Sequence, residues 1–380
     1  MDLNLQHGHK DLVQAVSFNT YGDRCATGSV DGKMRVFNRH RDATWRLCDT
    51  WSAHGGEVLE LQWLPASVYP NLIASLGMEG WFRLWAEDPS AAPGRRFCSG
   101  RGGNGRPAFD TRSGRAAPYR SFSVKHAHDS ANSYVALLAT DGRCTVLENE
   151  AADNVAEYTS IDDFPVCAKP SRGEEVSFRV RFDPNAEPCY TALKAGVSAD
   201  ALALVVAAMH RVSIYRSNNV LSSAYGVSQT KKQFYLAVDV QVHRGLVRDV
   251  AWAPGNFRGY DVIATACQDG FARVFRLDTP EGSELDSQRQ PRQIHHRRLR
   301  LRLRRRAKDH QAGQVKHTLR EISRLDSHRT PVWRVSFDDD GHVLGSTGDD
   351  GRLVCYRQTA GGEWAKSSEL VMVKARMAAP

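Results

Sequence analysis

Short runs in which apolar and polar residues alternate recur along the chain, each bounded by small or turn-forming residues. VQAVSF (Val13–Phe18), VLELQW (Val58–Trp63), VRDVAW (Val247–Trp252) and VWRVSF (Val332–Phe337) are four of them. Alternation with a period of two is the mark of a strand that turns one face to a core. A second phrase follows these runs: a small-residue strand end, then Asp-Gly, then an alternating strand closing on a large residue. It reads SVDGKMRVF at 29–37, CQDGFARVF at 267–275 and GDDGRLVCY at 348–356, with weaker copies LGMEGWFRLW at 76–85 and TDGRCTVL at 140–147. A sixth copy, MHRVSIY at 209–215, keeps the strand but has lost the Asp-Gly. Asp-Gly between two alternating runs predicts a hairpin, because Gly accepts a positive φ and the Asp side chain bonds the turn backbone.

The spacing is regular. The turn position lies six residues before the closing large residue in Asp31/Phe37, Glu79/Trp85, Asp141/Leu147, Met209/Tyr215, Asp269/Phe275 and Asp350/Tyr356. A His stands ahead of four copies: His9, His54, His243 and His328 precede Asp31, Glu79, Asp269 and Asp350 by 22, 25, 26 and 22 residues. That interval holds two short strands and their turn, so each unit is predicted to be four short antiparallel strands. One such sheet cannot bury both of its faces, but blades packed radially can. The expected fold is an all-β, six-bladed propeller forming a single domain over residues 1–380.

The repeat resembles the WD-repeat family, with the usual Trp-Asp strand end replaced by Phe-Asn, Trp-Ala, Phe-Arg and Tyr-Arg at 37–38, 85–86, 275–276 and 356–357. In that family the His and the acid join a hydrogen-bonded network with a strand hydroxyl and the strand-end aromatic. The resemblance implies three intact pairs, His9–Asp31, His243–Asp269 and His328–Asp350, and a His54–Glu79 pair strained by its longer acid. Such pairs lock blade geometry and leave no nucleophile in reach, so no catalytic residue is expected among them.

Six copies are few for the family, where seven blades are commonest, and no seventh phrase fits the remaining sequence. ELVMVK at 369–374, or residues 2–5, is the candidate outer strand of the last blade. A six-bladed ring can close or stay open, and an open one leaves sheet edges and apolar blade faces for a partner to cover. Longer stretches narrow the resemblance: HKDLV at 9–13, WSAH at 51–54, IAS at 73–75 with LWAEDP at 84–89, GRRF at 94–97, VAWAP at 250–254, VIATACQDGFARVF at 262–275 and LGSTGDDGRLVCY at 344–356. Together they are similar to the SEH-one nucleoporins, relatives of the SEC-thirteen coat proteins, over nearly the whole chain and most weakly between residues 100 and 240.

That resemblance implies an open propeller completed by a β-blade donated in trans by a helical scaffold nucleoporin. Its setting would be the Y-shaped coat subcomplex of the nuclear pore, among the other Y-complex subunits at the nuclear envelope. A second role would lie in a vacuolar or lysosomal coat complex that regulates TOR. The receiving strands would be those of the first and last blades, with Val13, Val16, Phe18, Met34, Val36, Val332, Val335, Leu353 and Cys355 as candidate contacts by β-augmentation. The rival readings are a SEC-thirteen-type vesicle coat subunit and a WD-repeat adaptor that reads chromatin or a peptide.

Composition adds limits. A hydrophobic fraction of 41%, with 8 Trp, 11 Tyr and 14 Phe, is enough for a real core. The net charge of +8 belongs to one place, since residues 286–308 hold nine Arg, one Lys and one Asp and the rest is near neutral. Within a predicted loop at 281–317 between blades five and six, Arg297, Arg298, Arg300, Arg302, Arg304, Arg305 and Arg306 form a candidate localisation signal or anionic-surface contact. It contains no aromatic residue, so any contact with nucleic acid would be phosphate-driven. A Gly-, Pro- and Arg-rich stretch at 88–118 is expected to be a flexible loop between blades two and three. The eight cysteines show no CxxC and no regular pairing distance, which points to a reducing compartment. The polar start lacks a signal-peptide core, and secretion is not expected. There is no phosphate loop, no HExxH and no zinc-spaced cluster beyond an isolated His126/His128 pair, so neither enzyme activity, metal nor cofactor is expected.

Overall fold

A computed structural model describes residues 6–97, 105–114, 116–127, 130–224, 227–255, 258–279 and 314–371. Among these, all elements but one are strands, and they form six four-stranded antiparallel sheets, each a meander in chain order. The fold is a six-bladed β-propeller. Blade one is β1 (Val13–Phe18), β2 (Arg24–Ser29), β3 (Lys33–Arg39) and β4 (Trp45–Ser52); blade two is β5 (Val58–Trp63), β6 (Leu72–Gly77), β7 (Trp81–Ala86) and β8 (Phe109–Arg112). Blade three is β9 (Tyr119–His126), β10 (Ser133–Ala139), β11 (Arg143–Asn149) and β12 (Thr159–Pro165). Blade four is β13 (Phe178–Phe182), β14 (Ala203–Ala208), β15 (Arg211–Ala224) and β16 (Val227–Val240), with helix α1 (Tyr190–Lys194) in the connection from β13 to β14. Blade five is β17 (Val247–Trp252), β18 (Asp261–Cys267), β19 (Ala272–Asp278) and β20 (Thr318–Leu325), and blade six is β21 (Val332–Phe337), β22 (Val343–Gly348), β23 (Arg352–Gln358) and β24 (Trp364–Val371).

The turn chemistry explains the hairpins. Gly32, Gly80, Gly142, Gly270 and Gly351 sit at φ of 75°, 83°, 77°, 86° and 68°, a region closed to most side chains. Where blade four has lost the Asp-Gly, Met209 takes the positive φ, 61°, one residue earlier in a two-residue turn between β14 and β15. That is the geometry of a II′ hairpin, here forced on a residue with a side chain at a strain of roughly 1 kcal/mol. The next hairpin, β15–β16, is the longest among the described residues, paired from Val212↔Val240 to Ala224↔Val227.

Two compact units divide the chain, Met1–Phe182 and Asp183–Pro380. In the first, Met34 and Val36 of blade one pack with Val58, Trp63, Ile73 and Trp85 of blade two. The opposite face of blade two, with Leu72, Leu76, Phe82 and Leu84, packs on Phe122, Val124 and Val135 of blade three. In the second, Val247, Val250, Trp252 and Ile263 of blade five meet Val205 and Ile214 of blade four, while Val262, Ala264, Ala272 and Val274 meet Val332, Val335, Leu344, Val354 and Tyr356 of blade six. Alternation thus serves two cores at once, one residue parity to each neighbouring blade.

The stretch at 88–118 holds more order than a loop requires: β8 is the fourth strand of blade two, and Phe97 is buried with its ring stacked 4.5 Å from Trp51. The fourth strand of blade six is β24, from the C-terminal side and starting at Trp364, earlier than 369–374; residues 2–5 lie outside the described ones. The arginine segment, Arg297 to Arg306, and His128 also lie outside them.

Candidate functional site

Three of the four His networks form a relay. In blade two, His54 Nδ1 lies 2.8 Å from Glu79 Oε1 and its Nε2 lies 2.8 Å from Ser75 Oγ, which also accepts from Trp85 Nε1 at 2.8 Å. In blade six, His328 Nδ1 is 3.0 Å from both Asp350 oxygens, its Nε2 is 2.7 Å from Ser346 Oγ, and Ser346 is 3.3 Å from Tyr356 Oη. Blade one has His9 Nδ1 at 3.4 Å from Asp31 and Nε2 at 2.8 Å from Thr27 Oγ1. The longer acid of blade two does not strain its pair, which is shorter than the Asp31 one; the cost is that Glu79 Oε2 is buried without a partner. These partners assign the Nδ1–H tautomer, donating to the carboxylate and accepting from the hydroxyl.

Blade five departs from the expected pairing. Arg273 comes between His243 and Asp269: its guanidinium donates to Asp269 at 2.6 and 3.1 Å and to His243 Nδ1 at 3.0 Å. An Arg can only donate, so Nδ1 becomes the acceptor and the tautomer is reversed. His243 Nε2 and Thr265 Oγ1, which would close the relay, are both buried and unpartnered. Burial first, then the Arg273 charge, bring His243 down to about 4, while the Arg273 bonds outweigh burial and hold Asp269 at about 2. His243, Cys267 and Asp269 place their ligand atoms within 4.8 Å of one another. The guanidinium already supplies the cation there, so the cluster reads as an ion pair. Burial also lowers His54 and His9. Enclosed imidazoles bonded on both nitrogens, as in blades one, two and six, fit a structural role.

The terminal blades differ from the others on one face each. In the first strands, Val250 and Trp252 are 1% and 4% exposed and Val335 is buried, while Val16 and Phe18 at the matching places in β1 are 54% and 56% exposed. Leu12 and Tyr21 beside them and Leu47 of β4 are also exposed. In blade six the parity that packs forward in blade five (Ala264, Ala272, Val274) is taken by Gly345, Leu353 and Cys355, all half-buried, and Trp333 and Leu370 are exposed. The structure therefore divides the nine candidate contacts. Val16 and Phe18 lie on the free face of blade one, Val13 is half-buried beside them, and Leu353 and Cys355 lie on the free face of blade six. Met34, Val36, Val332 and Val335 lie on the opposite, covered faces. Their strands are the expected ones, but a step of one residue changes the face.

A family model for the WD domain, G-beta repeat, matches residues 3–38 and 319–357. The nucleoporin SEH1 of Chaetomium thermophilum is 46% identical over 99% of this chain and 96% of that protein. The chain belongs to the SEH1 nucleoporin family. Nucleoporin SEH1 of Saccharomyces cerevisiae is 26% identical over 94% of the chain and 95% of its own length, and that of Homo sapiens 22% over 94% and 84%. The SEH1 family resemblance thus extends over both compact units, including the blades without a His network.

Proposed function

We propose that this chain is a scaffold subunit of the nuclear pore, working in the Y-shaped coat subcomplex, and that a helical scaffold nucleoporin completes it with a β-blade. The observation that carries the reading is the free face of blade one. Val16 and Phe18 are presented to solvent by a strand whose counterparts in blades two and five close on a core. Covering two half-exposed side chains yields roughly 1 kcal/mol each, which makes the face a driving surface for association. The free face of blade six, with Leu353 and Cys355, is a second surface of the same kind. The His networks stiffen the blades that present these faces and take no part in chemistry.

Coexpression of the full chain with the helical scaffold nucleoporin of its own species, followed by gel filtration, tests the proposal. A stable one-to-one complex is expected, and a monodisperse monomer that leaves the nucleoporin unbound would overturn it.

A further inference from the structure

The first strands of neighbouring blades are joined by a hydrogen-bond rule that repeats. Take Val13, Val58, Tyr119, Val247 and Val332 as position one of their first strands, and Ser177, one residue before β13, as its equivalent in blade four. Where position three carries an oxygen-bearing side chain that faces a following blade, that side chain accepts the backbone N–H of position four in the next blade. Glu60 Oε2 accepts from Phe122 at 2.9 Å, Ser121 Oγ from Val180 at 3.1 Å, and Asp249 Oδ2 from Val335 at 3.2 Å. The side chain at position five likewise accepts from position six: Ser17 Oγ from Trp63 at 3.3 Å, Gln62 Oε1 from Val124 at 2.9 Å, and Ser123 Oγ from Phe182 at 3.0 Å. Six bonds at four blade boundaries obey one register. Its cause is the pleat: amides at positions four and six point away from the blade's own second strand and are open to an acceptor from the preceding blade. Among the described residues, blade five lacks these bonds because the preceding positions are Arg179 and Arg181, which can only donate.

Strand β1 has the same two amides, on Val16 and Phe18. Among the described residues no side chain accepts from either, and these are the two residues whose apolar side chains stand exposed. An alternating pair of acceptors is the pattern of a strand; a helix brings residues three and four apart to one face, and not residues two apart. We infer that the partner segment on blade one is a β-strand carrying oxygen-bearing side chains (Ser, Thr, Asn, Asp, Gln or Glu) two residues apart, which accept the N–H groups of Val16 and Phe18. This rests on the blade-completion reading and adds to it the register and the chemistry of the partner strand. At blade six the same rule makes Ser336, the exposed fifth residue of β21, an acceptor for a partner amide.

The test is residue-resolved hydrogen–deuterium exchange on the full chain, alone and coexpressed with the full-length helical scaffold nucleoporin of its species. In the complex the Val16 and Phe18 amides are expected to slow at least about tenfold, the weight of one buried hydrogen bond. Changing the two nearest partner acceptors to Val should restore fast exchange at those amides alone. Ser17→Ala in the chain by itself should speed the Trp63 amide by a similar factor; no change there would overturn the rule. A complex that forms while both β1 amides exchange as fast as in the free chain would overturn the inferred register and leave blade completion standing. Failure to form any complex would overturn both.

Discussion

Strands β1 and β17 share a pattern and differ in surroundings. Each begins four residues after a His, and each has an apolar fourth residue and an aromatic sixth, Val16 and Phe18 in one, Val250 and Trp252 in the other. In β17 the pair closes a core with Val205, Ile214 and Ile263; in β1 the pair meets solvent. An apolar strand face acquires value only from the blade beside it. On the proposed reading, association belongs to the blade-one face and stability to the covered interfaces.

The largest effects should separate these two roles. Trp252→Ala empties a closed interface and is expected to cost about 3–5 kcal/mol by urea unfolding, whereas Phe18→Ala in the free chain loses an edge contact with Trp45 and should cost about 1 kcal/mol. Equal losses from the two would erase the distinction. Next comes pH. His243 and His317 are lowered to about 4 and about 3, in each case by burial first and then by a neighbouring Arg, Arg273 or Arg216, and burial lowers His54 as well. Their folded values lie below the unfolded one, so the unfolded chain binds the extra protons. Stability should therefore be full above pH ~6.5 and fall as the pH drops toward 4, by up to about 3 kcal/mol for His243 alone. The urea midpoint at pH 7.5 and at pH 5 reads this directly, and His243→Gln should reduce the difference while His317 keeps part of it. A smaller effect concerns thiols. Cys25, pushed up to about 11 by burial, and the enclosed Cys144 should resist a maleimide, while half-buried Cys355 on the blade-six face should label in the free chain and be protected in the complex. Mass spectrometry of the labelled peptides decides it.

Much of this was legible in the residues. The Asp-Gly phrase and its constant spacing to a large residue located β2–β3, β6–β7, β10–β11, β18–β19 and β22–β23, because a left-handed Gly and a period of two are local requirements. Strand β20 begins at Thr318, where alternation resumes after the arginine run. Other features depend on contacts that the sequence does not order. Arg35, Arg83 and Arg273 occupy the same place four residues after the turn acid, yet of these only Arg273 is buried and comes between His and Asp. Strand β8 carries almost no pattern and exists because β7 offers it an edge. The choice between Met34 and Val16 as partner contacts turns on which face has a neighbour, and alternation alone gives two equivalent faces.

On the proposed reading Val16 and Phe18 form a docking face that contributes little to the free fold, Phe18 through one edge contact with Trp45 at 5.8 Å. The direct measurement is the affinity of the Val16→Asp/Phe18→Asp double variant for the coexpressed helical nucleoporin, beside its urea midpoint. The account expects the midpoint to remain near that of the unaltered chain and the affinity to fall by at least about a hundredfold, the loss from two desolvated charges in an apolar contact. A variant that folds as well and binds as tightly as the unaltered chain would contradict it.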